Sequence, residues 1–302
     1  MQLNLDASKQ KSEDVPCRDY STASTFNLPP ESRGEAPGRG RMIGRRVLVV
    51  GAGQTDYHLE DQPIGNGRAI SLLLAREGAK VAASDHDQSA VDGTVELITA
   101  GGGEATAMIA DVRNPSDVVE MVERARDCLG GLDGVVYNVG ITGPEGIQET
   151  TPEAWDNTFN VNLRGAMLTA RAALPGMEPG SAFVFISSIG AFTPRLDGRL
   201  ISYAASKLGM TALMRDVAFL GKERSIRANI VMPGSIDTGI ERHHGRLHAP
   251  AEQGPAPIFQ GMLMGRHGTA WETAYLTLFL LSQESAYITG QVVAIDGGLT
   301  TL

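Results

Sequence analysis

Cysteine is scarce in this chain, with two among 302 residues, Cys17 and Cys128. So few make no disulfide framework, so the fold must rest on a core, and a reducing cytoplasm is the expected compartment. Long apolar runs are missing as well. None approaches the roughly 20 residues that a bilayer-spanning helix needs, so no membrane association is expected. Positive charge is in deficit, 26 Lys and Arg against 35 Asp and Glu for a formal net charge of −9. No basic stripe alternates with aromatics either, and nucleic acid is not an expected partner. His243, His244 and His248 fall in a polar stretch and read as solvated side chains, so no metal is expected. The opening residues lack the basic-then-apolar layout of an export signal, and their acidic residues argue against a transit peptide.

What is present is an ordinary globular composition, 42% hydrophobic, enough for one domain with a sizeable core plus an extension. Residues 1–44 are rich in Ser, Pro, Gly and charge without helical or strand period, and are expected to be a disordered extension. Met42, just before the first apolar run, reads as a candidate alternative start. From residue 45 to 302 strand and helix signals alternate.

The run Arg46-Val-Leu-Val-Val50 has the character of a buried strand and ends in Gly51-Ala-Gly53. An amphipathic helix over 68–77 and a second strand from residue 78 complete a βαβ unit. Glycines at such a turn let backbone amides approach a pyrophosphate at the start of the following helix. Gly65 and Gly67 belong to the same turn but are displaced by residues 54–64, which form either a flap over the cofactor or an outward surface bulge. Asp85 ends the second strand, where a carboxylate accepts from both ribose hydroxyls and repels the extra phosphate of NADP. NAD is therefore the expected cofactor, with NADP disfavoured. A third strand is expected at Glu104–Ile109, and a helix over 115–128 capped by Asn114. A fourth strand follows at 132–137, and a capped helix opens at Thr151-Pro152.

Tyr203 and Lys207 lie four residues apart at the start of an apolar helix and so share a face. A nearby ammonium favours the phenolate, which makes the pair a candidate general acid or base. Upstream stand Ser187 and Ser188 at the end of an apolar run, and Asn162 before them. The ordered set Asn162, Ser188, Tyr203 and Lys207, with Pro233-Gly-Ser-Ile-Asp-Thr238 after a further strand, resembles the classical short-chain dehydrogenase/reductase family. The resemblance covers roughly residues 45–302.

It implies a Rossmann-type, doubly wound α/β fold with a mostly parallel seven-stranded sheet and helices on both faces. It implies that Tyr203 exchanges a proton with the substrate oxygen, that Ser188 orients that oxygen, with Ser187 as the fallback, and that Lys207 assists the tyrosine and holds the nicotinamide ribose. Asn162 is expected to link the lysine to solvent, although a buried, satisfied amide is the plainer reading. Asp111 and Val112 are expected at the adenine, Asn138 and Gly140 beside the nicotinamide ribose, and Pro233, Gly234, Ile236 and Thr238 around the nicotinamide amide. Tyr137 replaces an asparagine of the family pattern, Val139 an alanine and Val50 a threonine. Residues 239–268 are expected to be an irregular substrate loop with exposed apolar side chains, including Ile258, Phe259, Met262, Leu263 and Met264, suited to a hydrophobic or aromatic alcohol or ketone. A homo-oligomer, tetramer or dimer, is implied. Two rival functions stay open: a 3-oxoacyl thioester reductase using NADPH, and a nucleotide-binding scaffold without turnover.

Overall fold

The computed structural model describes residues 28–143, 146–192, 200–243 and 262–301. Helix α1 (Pro30–Arg33) precedes β1 (Arg46–Val50), α2 (Asn66–Arg76), β2 (Lys80–Asp85), α3 (Gln88–Ala100) and β3 (Glu104–Ile109). Then come α4 (Pro115–Leu129), β4 (Gly134–Tyr137), α5 (Pro152–Phe159), a π-turn over Asn160–Arg164, α6 (Gly165–Ala173) and β5 (Ala182–Ile186). The chain continues through α7 (Ile201–Gly221), β6 (Arg227–Pro233), β7 (Ile236–Asp237), α8 (Gly239–His243), β8 (Gly268–Thr269), α9 (Ala270–Leu281) and β9 (Val292–Ile295).

Seven strands form one sheet in the order β3-β2-β1-β4-β5-β6-β9, and every pairing in it is parallel. Both faces are covered, so β1 and β5 read as unbroken apolar runs. Leu48 and Val50 pack with Val118 of α4, Ala166 of α6 and Met210 of α7, while Val47 and Val49 pack with Leu73 of α2 and Leu278 of α9. The chain leaves β1 for β2 and β3, then returns to the other side of β1 at β4. In doubly wound sheets the crevice at such a reversal, beyond the carboxyl ends of the strands, is where ligands bind. Strands β7 and β8 pair separately, Ile236 against Gly268.

The expected disorder of residues 1–44 is corrected for residues 28–44; residues 1–27 lie outside the described residues. Ser32 Oγ donates to Glu272 at 2.9 Å, Thr269 Oγ1 donates to the Ser32 carbonyl at 2.8 Å, and Arg76 Nη1 donates to the Gly34 carbonyl at 2.7 Å. The Arg76 guanidinium also lies 5.2 Å from the centre of the Trp271 ring. The Glu77 side chain is wholly buried and accepts from the amides of Arg39 and Arg41 and from the Arg41 guanidinium at 2.7 Å. Burial pushes its carboxyl up, but these donors outweigh that and hold it below the usual carboxylate range. The segment is pinned by polar contacts rather than by an apolar stripe, which is why no period announces it. Met42, the candidate start, is itself buried.

The expected irregular stretch from 239 to 268 is also corrected at its ends. It opens with α8 and closes with β8, and Met262 is buried rather than exposed, whereas Leu263 and Met264 are exposed. Ile258 and Phe259 lie outside the described residues. Among the described residues no helix is long and apolar enough to cross a membrane, and no group of three His, Cys, Asp or Glu is placed to hold a metal ion.

Candidate active site

Two adjoining clefts open at the carboxyl ends of β1, β4 and β5. One is lined by Gly51, Asp85, Asp111 and Val112, the other by Ser188, Tyr203, Lys207, Pro233, Gly234, Ile236 and Thr238. Gly53, Asn138 and Gly140 line both, and Gly65 and Gly67 line the second. Of the expected catalytic and cofactor-binding residues, all of them among the described residues, only Asn162 reaches neither cleft.

The glycine turn is built for close approach. Gly51 has φ 83°, a left-handed backbone that suits glycine. A Cβ on Gly67 would overlap the Gly51 carbonyl oxygen and come within 2.7 Å of Asn138 Nδ2. That amide already donates to the Gly51 carbonyl at 2.8 Å. Gly67→Ala should therefore force the turn apart, lowering stability by about 1–3 kcal/mol as overpacking does. A thermal melt of the variant, together with a nucleotide titration, checks this; unchanged values would show that the turn yields without cost. At the end of β2, Asp85 Oδ2 accepts from the Gly53 amide at 3.0 Å, and Oδ1 accepts from the His86 amide at 2.8 Å. The carboxylate is thus fixed beside the turn. Asp111 pairs with Arg113 at 2.6 Å, and that guanidinium holds its carboxyl below the usual range.

Helix α7 carries two of the side chains that line the second cleft. Met210, Met214 and Val217 make its buried stripe, and Lys207 and Tyr203 continue the same stripe toward the N-terminus, where it runs out of the core into the cleft. Lys207 is 3% exposed. Its ammonium donates to the carbonyls of Val139 at 3.1 Å and Ile186 at 3.0 Å, just beyond β4 and at the end of β5, and lies 5.8 Å from the centre of the Tyr203 ring. Burial pulls it down to about 7. Gly140 leaves the room it needs, since a Cβ there would lie 2.9 Å from Nζ.

The two serines differ. Ser187 is buried and its hydroxyl donates to the Lys207 carbonyl at 2.9 Å, whereas Ser188 is half-buried and its Oγ accepts from the Gly190 amide at 3.2 Å. Ser187 spends its proton on the helix, which leaves Ser188 the better donor toward the cleft. Asn162 sits in the π-turn with its amide fully used. Oδ1 accepts from the Ile141 amide at 2.8 Å, and Nδ2 donates to the Ile141 carbonyl at 2.9 Å and to Ser206 Oγ at 3.0 Å. It braces the exit of β4 against α7. The fully buried Tyr137 hydroxyl donates to the Val161 carbonyl in the same turn at 2.5 Å, which ties the end of β4 to the π-turn from a second point.

Residues 54–64 are not an outward bulge. Thr55 and Tyr57 line both clefts, and Ile240 of α8 joins them. Sequence reasoning marked the insertion only by its length; the aromatic residue within a polar stretch was the available signal. Thr142 and Ile240, which also line both clefts, were missed because neither carries a motif.

Residues 63–300 match the family described as Enoyl-(Acyl carrier protein) reductase. The 2-(S)-hydroxypropyl-CoM dehydrogenase 3 of Xanthobacter autotrophicus is 34% identical over 245 residues, 79% of this chain and 93% of that protein. The 3-oxoacyl-(acyl-carrier-protein) reductase of Thermotoga maritima is 32% identical over 261 residues, 86% and 99% of the two chains. A solved short-chain dehydrogenase/reductase from Burkholderia xenovorans is similar with a TM-score of 0.77 at 32% identity, covering 87% of this chain and 99% of that one. Sequence and structure thus agree that this chain belongs to the classical short-chain dehydrogenase/reductase family of oxidoreductases.

Proposed function

We propose that the chain is an NAD-dependent oxidoreductase acting on a secondary alcohol or its ketone, with Tyr203 as the proton carrier. The observation that carries this reading is the placement of Ser188, Tyr203 and Lys207 in one cleft that adjoins the cleft of Asp85. The glycine turn leaves room for a pyrophosphate, Asp85 suits two ribose hydroxyls, and the Lys207 ammonium suits a second ribose, so the donor set fits a nicotinamide dinucleotide. Asp111 and Val112 would flank its adenine; Asn138, Gly140, Pro233, Gly234, Ile236 and Thr238 would surround its nicotinamide end. The bound nicotinamide supplies the hydride chemistry. Tyr203 takes or gives the proton at the substrate oxygen, the Ser188 hydroxyl donates a hydrogen bond that orients that oxygen, and the Lys207 ammonium favours the phenolate. Asn162 acts on this set only through the backbone it braces. Ile186 and Ile240 give the cleft apolar walls, which favour a hydrophobic substrate. Leu208, Phe219 and Leu220 are exposed along α7 and favour a homo-oligomer, dimer or tetramer.

A second reading, reduction of a 3-oxoacyl thioester with NADPH, is favoured by the Thermotoga relative and opposed by Asp85. Fluorescence titration with NADH and NADPH separates them, followed by assay against cyclic, aromatic and aliphatic secondary alcohols and a 3-oxoacyl thioester. Preference for NADH with alcohol turnover supports the first; preference for NADPH with thioester turnover overturns it. Asp85→Ala should narrow the NADH preference by about tenfold, roughly the value of one charge-assisted hydrogen bond. An unchanged ratio would take Asp85 out of the cofactor site.

A further inference from the structure

We propose that residues 54–64 form a strap that closes over the middle of the bound dinucleotide, with Thr55 and Tyr57 contacting its pyrophosphate, and that Arg242 latches the strap to α8 so that nucleotide exchange requires the two to part. The inference rests on the nicotinamide dinucleotide reading above.

Position carries the first step. Asp85 belongs to one cleft and Lys207 to the other, and Thr55, Tyr57 and Ile240 line both. A dinucleotide long enough to reach from Asp85 to Lys207 passes the strap at its midpoint, and the midpoint of a dinucleotide is its pyrophosphate. The two strap side chains end in hydroxyls that bond each other in this structure, and each can donate to a phosphate oxygen when that bond opens. Asn66, the first residue of α2, also lines the catalytic cleft, and its side-chain oxygen is buried without a partner. Turned over, that amide offers N–H groups to the same anion.

The strap is a built element. Gln54 Oε1 accepts from the Gly65 amide at 3.0 Å, which ties its two ends together. Gln62 Oε1 accepts from the Tyr57 amide at 2.7 Å, and Gln62 Nε2 donates to the Thr55 carbonyl at 2.8 Å, which stitches its middle. His58 and Asp61 both adopt φ 55°, a strained left-handed backbone that reverses the chain at the tip. The acidic side chains Asp56, Glu60 and Asp61 of the tip are exposed or nearly so. Facing water, they are screened from an anion in the cleft.

The latch is equally specific. Arg242 grips Asp237 with Nε and Nη2, each at 2.7 Å, and its Nη1 donates to the Asp61 carbonyl at 3.3 Å. Gly239, the first residue of α8, packs so closely that a Cβ would lie 2.8 Å from the Tyr57 ring and 3.2 Å from Gln62. The strap and the start of the substrate segment therefore move as one cover or separate as two.

The test is nucleotide release from the intact protein: load with NADH, chase with excess NAD, and follow NADH fluorescence by stopped flow. Tyr57→Ala should release NADH about tenfold faster, with Tyr57→Phe and Arg242→Leu each about threefold faster, the scale of one or two net hydrogen bonds. The melting temperature of the nucleotide-free protein should hold in Tyr57→Phe, which keeps the ring. Wild type that binds NADH while all three variants release it at the wild-type rate overturns the strap and leaves the oxidoreductase reading intact. Wild type that binds no NADH overturns both.

Discussion

Tyr203→Phe is expected to lower turnover by about 10²–10⁴-fold, the range lost when a positioned acid-base group is removed, while NADH binding stays within twofold of wild type. The ring remains, so the packing at the start of α7 and the contact with the Lys207 ammonium are kept; only the hydroxyl that exchanges the proton is gone. Steady-state rates on any substrate found active, set beside NADH titrations of the same preparation, decide the matter. Surviving turnover would mean that another group carries the proton, with Ser188 the next to be tested. Wild type that binds NADH yet turns over none of the alcohols, ketones or thioesters would instead favour a scaffold.

Lys207→Met is the second large effect. Turnover should again fall by at least about 10²-fold, because both the cation beside Tyr203 and the donor to the cofactor ribose are lost. Stability should change with pH in a defined direction. Burial pulls the folded ammonium down to about 7, against about 10.4 for an unfolded lysine. Between these values the unfolded chain binds more protons, so this group makes stability rise with pH from about 7 to about 10.4. The cost of burying the ammonium, on the order of a few kcal/mol, is fully present below pH 7. The methionine variant loses that cost, but it also strands the carbonyls of Val139 and Ile186. Its absolute stability at one pH is therefore a poor readout. The difference in melting temperature, variant minus wild type, should be more positive at pH 6 than at pH 9.5. A difference that stays flat would mean that Lys207 keeps an ordinary affinity for its proton.

Much of the nucleotide half could be read from the chain. The bounds of β1 and β3 and the caps Asn114 and Thr151 are as expected, because apolar runs and capping residues act over a few positions. Helix α3 was not anticipated. It buries only Val91, Thr94 and Ile98, too thin a stripe to stand out against its polar surroundings. The strap was visible as extra length, but not its direction, since that depends on Gly239 and Arg242 almost two hundred residues away. Asn162 shows the opposite limit. A motif named it, yet only the structure reveals that Ile141 and Ser206 consume its amide. Met262, read as an exposed substrate contact, turned inward because apolar character alone does not say which side of a loop faces the core.

Glu77 has a consequence for the gene as much as for the protein. Its carboxylate is enclosed, and Arg39 and Arg41 supply every hydrogen bond that it has among the described residues. Translation begun at Met42 would remove both arginines and the amides that cover this carboxylate, leaving Glu77 without any of these partners. The acid and its two arginines should therefore be inherited or lost together.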